Sequence, residues 1–228
     1  MNPVISESRE WGKVVNELSE EVLKLQSYDH TLLSLTGNVT GKNILDYGSG
    51  PGVLAKSLQG RGAKVFGYDI CPEMREKFAR TISPDNVYNS AREIPVNSWD
   101  IIVCNLVVCI NNKQEVKNIS RIISKFLTAN GVAYIGFCNP HIYNVRDSNL
   151  DFRATPSAPY HHNHSYKKTK KEGDYKIVEQ HRPLGWYDQT FHDARLTPEG
   201  IYFTPAYQRN GRNIRDFVIF KLEHSNKQ

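Results

Sequence analysis

NILDYGSGPGVLAKSL (residues 43–58) is the stretch from which the rest of the chain is read. Ile44 and Leu45 close a short apolar run suited to a buried strand, and Gly48, Gly50 and Gly52 follow at alternate positions. Glycine there allows backbone angles and close approaches that a side chain forbids. Val53, Leu54 and Leu58 then give the spacing of a helix face. Strand, glycine turn and helix N-terminus together make a ligand cradle, because the N–H groups of the first helical turn are free.

Dinucleotide sites use G-x-G-x-x-G, whereas this one reads G-x-G-x-G with Asp46 just before it. A carboxylate at that place repels a pyrophosphate and suits a ligand with an ammonium and a sulfonium. The next apolar run, AKVFGYDI (63–70), ends in Asp69, at the spacing of an acidic residue that accepts ribose hydroxyls. Residues 44–52 together with Asp69 resemble the first two motifs of class I S-adenosylmethionine-dependent methyltransferases.

The resemblance implies an α/β fold of Rossmann-like type: a seven-stranded, mostly parallel sheet with helices on both faces and an antiparallel last strand. It implies S-adenosylmethionine as cofactor and S-adenosylhomocysteine as product. Asp46, Gly48, Ser49, Gly50 and Gly52 would hold the methionine end, Asp69 the ribose, and Ile70 and Met74 one face of the adenine. Ser90 and Ala91 fall where the family often has an aspartate at the adenine amino group, so a hydroxyl or backbone contact stands in for it. WDIIVCNLVVCI (99–110) resembles the fourth motif, which would put Asn105 and Leu106 opposite the methyl group. Helices over residues 1–40 would form a lid, with Trp11 and Tyr28 either closing over the cofactor or serving as packing aromatics.

Read from residues alone, 228 positions suit one sizeable α/β domain, 1–228. No apolar run reaches the ~18 residues of a membrane span, and the N-terminus lacks a secretion signal, so a cytoplasmic protein is expected. Cys71, Cys104, Cys109 and Cys138 lie on or beside apolar runs without a zinc spacing, which reads as buried thiols. Trp11, Val14, Val15, Leu18, Val22 and Leu25 are spaced as an amphipathic helix broken near 27–30. The face Val116, Ile119, Ile122, Ile123 and Phe126 gives a helix over 114–127, ended by Asn130-Gly131. The βαβα order from 44 to 139 favours an open parallel sheet.

Periodicity then fails. Residues 140–182 are rich in His, Tyr, Asn and Pro, and an excursion after the fifth strand emerges at the edge that holds the cofactor. It is the expected acceptor pocket, with Tyr143, Tyr160 and His162 as substrate contacts. SYKKTKK and YKIVEQ flank a Glu-Gly-Asp turn and read as a β-hairpin. His161, His162 and His164 lack a metal-ligand spacing, so no metal is assigned; His141, His162 and His181 are the candidate general bases. Lys167, Lys168, Lys170 and Lys171 read as a solvated turn flank, with RNA or phosphate binding and steering of an acidic small-molecule substrate as the competing uses. IYFTPAY and FVIFKLE would be the last two strands, joined through Asn210-Gly211.

No Asn/Asp-Pro-Pro-aromatic sequence and no Pro-Cys pair occur at the fourth motif, which counts against nucleobase chemistry. The expected activity is methyl transfer to nitrogen or oxygen of a small molecule. An RNA or protein acceptor, or a binding protein that transfers nothing, are the alternatives.

Overall fold

In the computed structural model, residues 2–19, 25–154 and 156–225 are described. The central sheet contains β2 (Asn43–Tyr47), β3 (Lys64–Tyr68), β4 (Val87–Tyr88), β5 (Trp99–Asn105), β6 (Leu127–Cys138), β10 (Leu196–Phe203) and β13 (Phe217–His224). Their order is β10-β13-β6-β5-β2-β3-β4. The pairs from β4 to β6 are parallel, and β13 runs antiparallel between β6 and β10.

Alternation along the strands explains why helices cover both faces. Ile44, Ile101 and Val103 pack with α1 (His30–Leu35), α2 (Val53–Gly60) and Phe78 of α3 (Pro72–Thr81). Leu45, Ile102 and Cys104 pack against α4 (Lys113–Phe126) and α5 (Leu184–Asp193). Central strands apolar on both sides are the mark of a covered parallel sheet. α4 starts on a capping box in which Asn112 Oδ1 accepts from Glu115 N at 3.0 Å and Glu115 Oε2 accepts from Asn112 N at 2.7 Å.

Three expectations change. α4 stops at Phe126 and β6 begins at Leu127. Asn130-Gly131 therefore sits in the bulge between the Trp99↔Leu127 and Ile101↔Val132 pairs instead of ending the helix. Asn210-Gly211 turns a separate ribbon, β11 (Tyr207–Arg209) with β12 (Arg212–Ile214), placed between β10 and β13. The N-terminal segment forms a short strand, β1 (Val4–Ile5), and 3₁₀ turns over Ser8–Val14 and Glu17–Ser19 in place of an α-helix. The i, i+3 spacing of Trp11 and Val14 serves a three-residue turn as well; Val22 lies outside the described residues.

A second sheet forms from β7 (Asp151–Arg153), β8 (His164–Lys170) and β9 (Lys176–His181), in the order β1-β9-β8-β7. β8 and β9 are the expected hairpin. β1 adds to β9 in parallel, Val4↔Lys176 and Ile5↔Ile177, so the chain start is stitched to the insertion.

Candidate active site

A cavity of about 780 Å³ runs from the glycine turn after β2 to the hairpin. Its near end is backbone. Gly48 has φ +82°, and a Cβ there would lie 2.1 Å from Val107 Cγ2, so only glycine lets the loops after β2 and β5 meet. Gly48 N and Ser49 N donate to Tyr68 O at 2.7 and 3.0 Å. Asp69, buried at the end of β3, accepts from Gly50 N through Oδ2 and from Cys71 N through Oδ1, each at 2.9 Å. Burial pushes its pKa up, and the two amides pull it back. Asp69 thus holds the glycine turn in shape.

The loop after β5 forms one wall. Leu106 takes φ +59°, a strained angle for leucine, and donates its N–H to Gly136 O at 2.8 Å. Arg182 is buried and donates to Val108 O at 3.2 Å and to Asn111 O, while Gln180 N donates to Cys109 O at 2.7 Å. The insertion therefore clamps this wall from outside. Ser6–Trp11 closes the top, with Trp11 edge-on to Tyr175 at 6.2 Å.

The far end is made of charge. Lys168 is 4% exposed, and its Nζ lies 2.6 Å from Glu179 Oε1, 3.2 Å from Asp151 Oδ2 and 3.2 Å from Cys138 Sγ. Arg153 Nη2 reaches the same Asp151 oxygen at 3.2 Å, Lys170 Nζ lies 3.5 Å from Asp151 Oδ1, and Tyr166 OH donates to Glu179. These cations hold the Asp151 and Glu179 carboxyls below their ordinary range despite burial.

Of the expected cofactor residues, Trp11, Asp46, Gly48, Ser49, Gly50, Asp69, Ile70, Met74, Asn105 and Leu106 line the cavity. Gly52 does not: it caps α2 at φ +85° behind the wall. Tyr28 is fully buried against Phe217, with ring centroids 5.1 Å apart, and packs instead of forming a lid. Ser90 and Ala91 also lie off the wall; Ser90 Oγ accepts from Arg92 N at 3.2 Å.

The expected bases and acceptor contacts go elsewhere. His141 stacks on Tyr160 (5.3 Å) and lines a separate surface cleft with Arg212 and Arg215. His181 is buried, with Nε2 at 2.7 Å from Tyr160 O, and Tyr143 sits on its ring at 4.9 Å. His162 is exposed. None of these five side chains lines the main cavity. The cause is register: His164↔His181 pair at one end of the hairpin, and Lys168↔Ile177 pair four residues along. At a strand rise of ~3.3 Å that is roughly 13 Å. The solvated-flank reading of the lysines is corrected too, because period two turns Tyr166, Lys168 and Lys170 inward, and of the patch Lys167 is the exposed member. The alternation in SYKKTK and KIVEQ carried that signal.

Among the described residues no group of three or more His, Cys, Asp or Glu side chains is placed to hold a metal ion. No described helix is long and apolar enough to cross a membrane.

Order, glycine cradle and cavity define a Rossmann-like α/β enzyme with a small-ligand site at the carboxyl edge of its parallel strands. The sequence matches the methyltransferase domain family over residues 14–170, and the chain belongs to that family. It is a methyltransferase, and S-adenosylmethionine is its methyl donor. The residues present fit that donor: among the described residues Ser49 Oγ and Asn105 Oδ1 are buried in the wall without a hydrogen-bond partner, and Gly50 faces open space.

Solved structures share the fold. An S-adenosylmethionine-dependent methyltransferase from Mesorhizobium loti aligns at TM-score 0.63 and 17% identity, over 85% of this chain and 95% of the other. A protein from Pyrococcus horikoshii gives 0.65 and 13%, over 92% and 93%. Magnesium protoporphyrin IX methyltransferase from Synechocystis, with S-adenosylmethionine bound, gives 0.52 and 13%, over 93% and 79%. At such identities the likeness is one of fold. No curated protein matches by sequence.

Proposed function

We propose that residues 1–228 act as one catalytic unit that moves a methyl group from S-adenosylmethionine to a nitrogen or oxygen of a small molecule. The observation that carries this reading is the single cavity joining the glycine cradle to the hairpin, covered by Ser6–Trp11. Its volume of about 780 Å³ is in the range of small-ligand sites. A nucleic-acid acceptor is disfavoured because Lys168 and Lys170 are turned inward onto Asp151.

Asp46 and the turn at Gly48–Gly50 would hold the amino-acid end of the donor. Asp69 would take the ribose, since each of its oxygens keeps a second lone pair beyond the amide it already accepts. Ile70 and Met74 would cover the adenine. The bound donor supplies a sulfonium methyl for in-line displacement. Asn105 and Leu106, fixed by the strained turn after β5, would border the transfer point. Alignment of the acceptor behind that methyl can contribute on the order of ~7 kcal/mol of acceleration.

The test is incubation of the purified protein with methyl-labelled donor and, separately, small-metabolite extract, total RNA and total protein. Label is expected in the small-molecule fraction. Label confined to RNA or protein overturns the acceptor class, and donor binding by calorimetry without transfer to any fraction overturns catalysis.

A further inference from the structure

We propose that Cys109 and Cys138 are an oxidisable pair in the cavity wall: hydrogen peroxide converts Cys138 to a sulfenic acid, Cys109 resolves it to a disulfide, and methyl transfer stops until a thiol reductant reopens the bond. The loss of transfer rests on the methyltransferase reading of the same cavity; the bond itself does not.

Of the four cysteines, Cys109 and Cys138 line the cavity, whereas Cys71 and Cys104 do not. The pair comes from two elements. Cys138 ends β6, and Cys109 lies on the loop after β5. That loop is tied to β6 beside Cys138: Leu106 N donates to Gly136 O at 2.8 Å, and Cys109 Sγ donates back to Leu106 O at 3.3 Å. β9 holds both cysteines from the other side, since Gln180 N donates to Cys109 O at 2.7 Å and Glu179 accepts from the Cys138 thiol. The two side chains are also hydrogen-bonded to each other, which, with burial behind it, pushes the Cys109 thiol well above its ordinary range.

Peroxide attacks a thiolate, so the first thiol to react is the one that can lose its proton. Cys138 Sγ donates to Glu179 Oε1 at 3.1 Å and accepts from Lys168 Nζ at 3.2 Å. A carboxylate for the proton and an ammonium for the sulfur charge are thus both in contact, with Arg153 and Tyr166 as the further groups that act on this sulfur. Cys109, bonded to a carbonyl and shifted upward, keeps its proton and is the second thiol. The Cys138 sulfur forms an S–O bond as the O–O bond of peroxide breaks, and the departing hydroxide leaves as water with the proton that Glu179 took. The Cys109 sulfur then displaces the sulfenic oxygen, which departs with the Cys109 proton as a second water. Two thiols lose two electrons and one peroxide gains them.

The consequence falls on the loop after β5. Joining the sulfurs removes the Cys109 bond to Leu106 O and the Cys138 bond to Glu179, and draws the loop onto β6. Leu106, already held at φ +59°, is the residue expected to border the transfer point. The glycine turn and Asp69 stand outside this change.

The test adds hydrogen peroxide to the purified, reduced protein and maps its peptides by mass spectrometry without reductant, which needs no variant. A linked Cys109–Cys138 peptide is expected while Cys71 and Cys104 remain thiols; no disulfide, another linkage, or earlier oxidation of Cys71 or Cys104 overturns the proposal. Cys109→Ser should leave Cys138 as a sulfenic acid that dimedone traps, and Cys138→Ser should leave Cys109 unmodified; the reverse pattern overturns the assigned order. Transfer of labelled methyl should fall about tenfold or more in the oxidised protein and return with dithiothreitol, with S-adenosylhomocysteine affinity kept within about threefold. Full transfer with the disulfide in place overturns the closure. A reduced protein that neither binds S-adenosylhomocysteine nor transfers label overturns the methyltransferase reading underneath, while the peptide map still decides the disulfide.

Discussion

At the glycine turn the cavity wall is main chain: Gly48 and Ser49 bond to Tyr68 O, and Gly50 bonds to Asp69, all within a βαβ unit. At the hairpin it is side chains, Lys168 and Lys170 of β8 and Glu179 of β9 with the thiol of Cys138, backed by Asp151 and Arg153 of β7. The first end takes its shape from its glycines and from Asp69. The second depends on every charge having its partner, because an unpaired buried ion costs far more than the intact pair stabilises. One end is specified by backbone shape and the other by charge balance.

The comparison breaks most visibly at Lys168. Lys168→Met takes the 2.6 Å cation from buried Glu179 and leaves Asp151 to Arg153 and Lys170, and a loss of about 3–5 kcal/mol is expected. For a chain of this size that lowers Tm by roughly 6–20 °C in a thermal melt. At the other end, Gly48→Ala forces a side chain against Val107 at φ +82°. A cost of about 1–3 kcal/mol and a donor affinity down at least ~10-fold are expected, with part of the affinity restored by Val107→Ala in calorimetry. Asp69→Asn removes the charge and turns an amide NH2 toward either Gly50 N or Cys71 N, so donor affinity should fall at least tenfold, or ~1.4 kcal/mol, with a loss of about 1–3 kcal/mol in stability.

Acid separates the two ends again. The Asp151 and Glu179 carboxyls are held below their ordinary values, so their stabilising contribution is complete above the unfolded pKa near ~4 and is lost as pH falls from there toward the folded value. Asp69 is shifted upward and contributes no such term. Melting followed from pH 6 to 3 should show a decline starting near pH 4 that Asp69→Asn leaves in place. The smallest effect is expected for His141→Ala, within about 0.5 kcal/mol in stability and within ~2-fold in turnover, because that ring faces the surface cleft. A large loss of turnover would return the acceptor site to the histidine cluster.

The same contrast governs what could be read from the sequence. Asp46, Gly48, Gly50 and Asp69 could be placed beside one cavity from the sequence because a βαβ turn is local: spacing along the chain is spacing in space. The sheet followed from apolar runs and helix faces, down to the antiparallel β13 that the resemblance implied. The acceptor end was not legible in the same way. His141, His162 and His181 stood out by residue type, but the strand period and the hairpin register, which decide what faces inward, turned lysines and a glutamate to the cavity. The pairing of Val4–Ile5 with Lys176–Ile177 leaves almost no local signal, since a two-residue strand has too few positions to show a period.

That pairing also orders assembly. It joins the strand that leads into the cavity's cover to a strand far along the chain, and loop-closure entropy keeps such a seam open until both partners are already held in place. The cover therefore closes after the central sheet and the hairpin, and a nascent or partly unfolded chain has the glycine turn but not the enclosed site. Hydrogen exchange should find the amide of Lys176, bonded to Pro3 O at 2.9 Å, among the first in the hairpin to open and the one most slowed by a bound ligand.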